Sequence, residues 1–290
     1  MIVLKRIAVI QDLSGLGKCS LTAAIPVISV MGIQPCPLPT AILSNQTGFS
    51  SCFIDDYTDR IEQIMEEWKK RNFIPDGIYT GFLAGEYQAD LILKFIEEFS
   101  GDHTWILTDP VMGDKGNAFG FYTESFCEKM RILAGKAHVI TPNLTEAFLL
   151  LEGKDTLLKN WMELSYMEEK EYLSRIEELG KNLCQRFSLR AAVITGIDLK
   201  REDSPPLIGN LVWEKGTPFW SFSEKYGGSY SGTGDLFASV LCAGLVKGMS
   251  MERSVKKAVS FLSGAIRDTN KAGTDRNEGV CFEPHLWELI

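Results

Sequence analysis

Histidine is scarce: His103, His138 and His285 are the only three in 290 residues, far apart and in no ligand spacing. That argues against a histidine-rich metal centre. The seven cysteines, at 19, 36, 52, 127, 184, 242 and 281, form no C-x-x-C pair. An odd, unpatterned set reads as buried or free thiols in a reducing compartment, not as a disulfide framework. Basic residues do not dominate. Thirty Lys and Arg against 38 Asp and Glu leave a formal net charge of −8, which argues against a nucleic-acid surface, where phosphate neutralisation needs clustered cations. Small phosphate ligands stay open, because helix N-termini bind them through backbone N–H groups. No apolar run reaches the roughly 18 to 20 residues of a membrane span. The apolar N-terminus is broken by Lys5 and Arg6, with no small-residue cleavage site after it. These absences predict a cytoplasmic globular protein.

What is present is a chain that is 45% apolar, long enough to bury a large core without disulfides or structural metals. Strand patterns cover 6–10, 77–80, 104–108, 138–141 and 191–195. Helical patterns lie near 18–31, 58–70, 86–99, 123–134, 143–151 and 170–187. Ile61, Ile64, Met65 and Trp68 recur at the spacing of one buried helix face. Strands with little polar alternation, separated by helices, predict βαβ units and a mostly parallel sheet covered on both faces, a three-layer α/β/α fold. Residues 207–214 and 217–222, joined through Lys215-Gly216, predict a C-terminal β-hairpin. Two long helical patterns, 233–247 and 251–268, follow. The charged stretch 152–178 reads as a solvated helical excursion. With no Pro/Gly/Ser-rich linker, residues 1–290 are expected to form a single domain.

In open α/β sheets ligands sit beyond the carboxyl ends of the strands. The loop Gln11-Asp-Leu-Ser-Gly-Leu-Gly17 fits neither a P-loop, since Lys18 is followed by Cys19, nor a dinucleotide fingerprint, since Ser20 replaces the third glycine. It is either a tight strand-to-helix turn or a loop whose backbone lies close to a small ligand. Ser231-Gly-Thr-Gly-Asp235 precedes a helix. Thr233 as N-cap and Asp235 in the first turn would explain it as capping. The same geometry lets N–H groups converge on an anion beside a carboxylate base. Asp109-Pro-Val-Met-Gly113 holds a carboxylate in a stiff X-Pro segment; an exposed loop acid is the simpler reading. Asn143-Leu-Thr-Glu146 matches a capping box. Asp109, Asn143 and Glu146 together would also supply oxygen ligands, directly or through water, for a magnesium ion.

These motifs, with Ser44-Asn-Gln-Thr-Gly48, Thr80-Gly-Phe-Leu83 and Thr141-Pro-Asn143, resemble the ribokinase-like superfamily, in particular its pyridoxal/pyridoxamine kinases, over almost the whole chain. The resemblance implies an ATP-dependent kinase that phosphorylates the 5′-hydroxymethyl of a vitamin B6 vitamer in salvage, with ATP along the sheet's carboxyl edge. It makes Asp235 the catalytic base and Gly232, Thr233 and Gly234 the anion hole. Asp12 and Thr47 would contact the pyridine ring, with Phe82 packed nearby. Asp109, Thr141, Glu146, Thr195, Gly196 and Lys115 fall on the nucleotide side, and magnesium would sit at Asp109, Asn143 and Glu146. Residues 113–120 would form a mobile cover over the phosphates. A monovalent cation such as K+ and a homodimer are inherited expectations. Two positions depart from the pattern: many pyridoxal kinases carry serine in place of Asp12 and histidine in place of Gln46. A carboxylate at position 12 would favour pyridoxamine over pyridoxal. Asp12 also resembles the matching loop of hydroxymethylpyrimidine kinases of thiamin synthesis, the alternative reading, although those enzymes usually carry cysteine in place of Asp235. An inactive nucleotide or vitamin sensor is a further alternative, disfavoured by the intact Asp235.

Overall fold

The structure, a computed structural model, describes residues 4–199 and 205–290. Residues 1–3, the start of the apolar N-terminal stretch, lie outside that description. The chain divides into two compact units, Met1–Asp109 with Tyr226–Ile290, and Pro110–Lys225.

The first unit opens with β1 (Arg6–Ser14), α1 (Ser20–Val30), β2 (Gln34–Leu43), β3 (Ile54–Asp56) and α2 (Thr58–Lys69). It continues with β4 (Gly77–Thr80), α3 (Glu86–Phe99) and β5 (Trp105–Thr108). Ile7, Ala8, Val9 and Ile10 are all fully buried, so β1 is covered on both faces and its uninterrupted apolar run has a physical cause. β1 pairs in parallel with β2 and with β4, and β4 in parallel with β5, while β3 joins β2 antiparallel at the edge.

β2 is not legible as a strand in the sequence because Gln-Pro-Cys-Pro-Leu-Pro carries a proline at every second position. The period explains how they fit. The Gln34 N–H donates to the Lys5 carbonyl on the β1 side at 2.9 Å, so the N atoms of Pro35, Pro37 and Pro39 point away from β1. β3 pairs only with Ala41–Leu43. The missing donors therefore fall on an edge where no ladder bond is lost.

The second unit contains a two-stranded hairpin, β6 (Gly113–Asp114) and β7 (Asn117–Ala118), then α4 (Glu124–Lys136), β8 (Val139–Ile140) and α5 (Leu144–Leu151). α6 (Leu157–Ser165), α7 (Glu169–Phe187), β9 (Ala191–Leu199), β10 (Leu207–Glu214) and β11 (Thr217–Glu224) complete it. β8 pairs in parallel with β9, which continues antiparallel into β10 and β11. The predicted hairpin forms with its Lys215-Gly216 turn, and β11 runs two residues further than expected. The charged stretch 152–178 resolves into α6 and the start of α7, as a helical excursion.

The chain then returns to the first unit with α8 (Thr233–Val246), α9 (Met251–Lys271) and a 3-10 helix (Glu283–Leu289). Every residue of α8 from Leu236 to Val246 is buried. A helix apolar on all sides belongs at the centre of a core, and this one presents its N-terminus, with Asp235, among the ends of β1 and β5. No described helix is long and apolar enough to cross a membrane.

Candidate active site

The first unit gathers three carboxylates. Asp235 lies in the first turn of α8, half-buried, and the Ser20 N–H donates to its carboxylate. Burial, then the Asp109 charge, and more weakly the Asp12 charge, raise its pKa from 3.8 to about 8 against that hydrogen bond. Asp109 follows β5 with 7% of its surface exposed; its N–H donates to the Thr80 carbonyl at 2.8 Å. A Cβ built on Gly234 would lie 3.7 Å from Asp109 Oδ2, so this carboxylate stands over the glycine loop.

Gly232, not Thr233, occupies the N-cap position, which corrects the capping reading of the threonine. Its φ of 79° is left-handed, and a Cβ there would meet the Lys18 carbonyl oxygen at 2.1 Å. Only glycine fits, on both counts. The Thr233 hydroxyl donates to the Tyr230 carbonyl at 2.7 Å and so fixes the loop instead of capping the helix. The first-turn N–H groups of α8 have no intrahelical acceptor, as at any helix start. Beneath the site Tyr79 is wholly buried, and its phenol is pushed well above 10 by burial and by Asp235 and Asp109.

Asp12 is 4% exposed, with both oxygens engaged by hydroxyls. Ser14 Oγ donates to Oδ2 at 2.7 Å and Ser20 Oγ to Oδ1 at 2.5 Å. Thr47 is exposed and Phe82 half-buried; the Phe82 carbonyl accepts from Thr40 Oγ1 at 2.8 Å. Gln46, at the position where histidine is the commoner residue of the resemblance, braces this loop. Its Oε1 accepts from the Gly48 N–H at 2.6 Å, and its Nε2 donates to Asn277 Oδ1 at 3.1 Å. The Asn277 contact is not readable from sequence, since 231 residues separate the partners.

The second unit holds the remaining residues. Asn143 caps α5 through a full capping box: its Oδ1 accepts from the Glu146 N–H at 3.0 Å, and Glu146 Oε2 accepts from the Asn143 N–H at 2.8 Å. The same two side chains reach the segment that follows Asp109. Glu146 Oε1 accepts from the Met112 N–H at 3.1 Å, and Asn143 Nδ2 donates to the Gly113 carbonyl at 2.8 Å. Thr145 Oγ1 accepts from the Gly116 N–H at 2.9 Å. The expected cover, residues 113–120, thus contains a short hairpin anchored at three points on the start of α5. Lys115 is exposed at its tip, in a left-handed conformation. Gly116, also left-handed with φ 77°, lies against Trp161, whose ring would be 2.6 Å from any Cβ there.

Thr141 is buried, and Asn143 forms a parallel bridge with Thr195. Gly196, with φ 68°, donates to Asn210 Oδ1 at 3.4 Å, and nothing lies within 4 Å of where its Cβ would be. Gly196 is therefore exposed, while the Thr195 N–H is taken by the Pro142 carbonyl at 2.9 Å. Among the described residues no three His, Cys, Asp or Glu side chains cluster tightly enough to hold a metal by themselves. A carboxylate oxygen has two lone pairs, so an amide bond to it does not preclude a metal-bound water on the other. Glu146 in this unit is a hard oxygen donor of the kind a magnesium ion takes while retaining most of its waters, and Asp109 in the first unit is another.

The phosphomethylpyrimidine kinase family model matches residues 19–279. A structure from Bacteroides thetaiotaomicron, provisionally designated a phosphomethylpyrimidine kinase and solved with pyridoxal, is 34% identical with a TM-score of 0.88. The match covers 99% of this chain and 96% of that one. A pyridoxine/pyridoxal/pyridoxamine kinase from Bordetella avium is 26% identical over 88% of this chain and 82% of its own length. A hydroxymethylpyrimidine/phosphomethylpyrimidine kinase from Bacillus subtilis is 24% identical over 81% and 79%. The curated relatives are spanned over 57% to 89% of their lengths. With the family model matched from α1 to the residues before the last 3-10 helix, the chain belongs to the phosphomethylpyrimidine kinase family of the ribokinase-like superfamily.

Proposed function

We propose that the protein transfers the γ-phosphoryl group of ATP directly to the 5′-hydroxymethyl of a vitamin B6 vitamer. The observation that carries this reading is Asp235: a half-buried carboxylate at the N-terminus of a largely apolar helix, its pKa raised to about 8, beside a loop whose Gly232 admits no side chain. A base needs a pKa near the working pH, so that it is ionised and still holds a proton well. Ionised Asp235 accepts the hydroxyl proton as the substrate oxygen attacks the γ-phosphorus. The bond from that phosphorus to the bridging oxygen of ADP breaks, and no phosphoenzyme forms. The N–H groups of Gly232, Thr233 and Gly234 are assigned to the charge on the moving group.

Magnesium, when bound, neutralises phosphate charge; Asp109 and Glu146, with Asn143, are the side chains suited to hold it, chiefly through water. Thr141, Thr195, Gly196 and Lys115 are assigned to the nucleotide, and Thr47 and Phe82 to the vitamer ring. The hairpin at 113–118 excludes water from the phosphates and so suppresses wasteful ATP hydrolysis.

Hydroxymethylpyrimidine is the second acceptor to consider, because the family model and the Bacillus subtilis relative carry pyrimidine-kinase names. The two acceptors share an aromatic nitrogen ring bearing a hydroxymethyl group. A coupled assay of ADP release with pyridoxal, pyridoxamine, pyridoxine and hydroxymethylpyrimidine separates them. The B6 reading expects the highest kcat/KM with a B6 vitamer, and turnover confined to hydroxymethylpyrimidine would refute it.

A further inference from the structure

We infer that Asp12 is a positioning residue for the base: its carboxylate fixes Ser20 in a left-handed conformation from which the Ser20 N–H holds the Asp235 carboxylate. The inference rests on the reading of Asp235 as the proton acceptor.

Asp12 sits where the β1–β2 register slips, between the pairs Gln11↔Pro39 and Leu13↔Ile42, and such irregularities re-aim side chains. Here the side chain turns inward: it is 4% exposed, and each oxygen already accepts a hydroxyl, from Ser14 and from Ser20. Both oxygens are thereby tied to the loop that carries Ser20.

Ser20 is the first residue of α1 and has φ 50°, a region that residues with a Cβ avoid. Its hydroxyl bond to Asp12, at 2.5 Å, is the contact that holds it there. From that conformation its N–H donates to Asp235. The loop also abuts the glycine turn that precedes the base. Lys18, also left-handed with φ 50°, places its carbonyl where a Gly232 side chain would begin. A shift of residues 18–20 would therefore move the anion loop and the base together. Between the two carboxylates the Cys19 thiol is pushed up to about 12 by burial, then by Asp235 and Asp12. It stays a neutral thiol and offers no competing nucleophile.

Glycine adopts positive φ without support, which gives a rescue test. D12A, S20A and the double variant D12A/S20G are compared with wild type in the full-length protein. The measurements are steady-state kinetics with the best vitamer, thermal melting, and hydrogen exchange of the backbone amide at position 20. D12A and S20A are expected to lower kcat about 10- to 100-fold, as misplacement of a reacting group does, with the vitamer KM within about threefold of wild type. The double variant is expected to recover most of the lost kcat. The amide at position 20 should exchange slowly in wild type, fast in D12A and slowly again in the double variant. A D12A effect confined to KM, or one on melting temperature alone, overturns the inference. So does a double variant that melts like wild type but stays slow. If D12A does not fold, S20A and the double variant decide the question by the same criteria. A wild type inactive on every acceptor defeats the kinase reading instead, while the exchange measurement still decides the link from Asp12 to Ser20.

Discussion

Asp235→Asn removes a charge that the native state holds at a cost, and the size of that cost is open to measurement. The carboxylate titrates near 3.8 when exposed and at about 8 in the folded chain. Below pH 3.8 both states are protonated and the group contributes nothing. As pH rises from 3.8 towards 8 the unfolded chain ionises freely while the native state resists, so wild-type stability falls across this window and is level above it. The rise from 3.8 to about 8 sets a ceiling near ~6 kcal/mol, at ~1.4 kcal/mol for each tenfold change in proton affinity. Because the side chain is only half-buried, solvent screening brings the expectation to ~2–3 kcal/mol. For a chain of this size that corresponds to a gain of about 4–8 °C in Tm. Asp235→Asn should therefore melt close to wild type near pH 4 and progressively higher towards pH 8. The amide keeps an oxygen for the Ser20 N–H, so the loop survives. Turnover should drop by roughly two or more orders of magnitude, the usual consequence of losing a general base, with ATP binding retained. Melting curves by calorimetry from about pH 4 to 9, paired with the coupled assay, test both halves. A Tm difference independent of pH, or near-normal turnover, would refute the reasoning.

The neighbouring residues give four further expectations. Gly232→Ala meets the Lys18 carbonyl oxygen at 2.1 Å in a left-handed backbone; it should cost ~1–3 kcal/mol of stability and most of the activity, read by urea unfolding and initial rates. Asp109→Asn removes the second-largest cause of the raised Asp235 pKa, so the acidic limb of the kcat/KM profile should move to lower pH; a limb that stays put argues against the coupling. Glu146→Ala strands the Met112 and Asn143 amides, should destabilise by ~1–3 kcal/mol per orphaned group, and should weaken the magnesium dependence of the rate; a wild-type magnesium titration excludes that role. Gly116→Ala drives a Cβ into the Trp161 ring in a left-handed turn. It should raise acceptor-independent ATP hydrolysis relative to phosphoryl transfer, and an unchanged ratio would show that the hairpin shields nothing.

Much of this is readable from residues alone, because the informative positions obey local rules. The apolar run of β1, the Lys215-Gly216 turn, the all-apolar α8 and the Asn143/Glu146 capping box each follow from periodicity or from pairs at fixed spacing. β2 escapes such rules because alternate prolines look like a loop until one knows that the edge beside them carries no ladder bonds. The hairpin at 113–118 is hidden by its shortness, and within the charged stretch 152–178 only the bounds of α6 escape the pattern. Thr233 resembles a cap in the sequence, which does not reveal that Gly232 already holds that position with left-handed φ. The commitment of both Asp12 oxygens is equally invisible: Ser20 lies eight residues away across a loop, and its hydroxyl depends on a conformation that no pattern encodes.

The most direct test is a 13C-carboxyl NMR titration of the ligand-free protein labelled at aspartate, with the Asp235→Asn spectrum used to assign the resonance. A midpoint at about pH 8 for Asp235 is the expected result. A midpoint below about 5, within the ordinary carboxylate range, would contradict a proton acceptor tuned by burial and by Asp109.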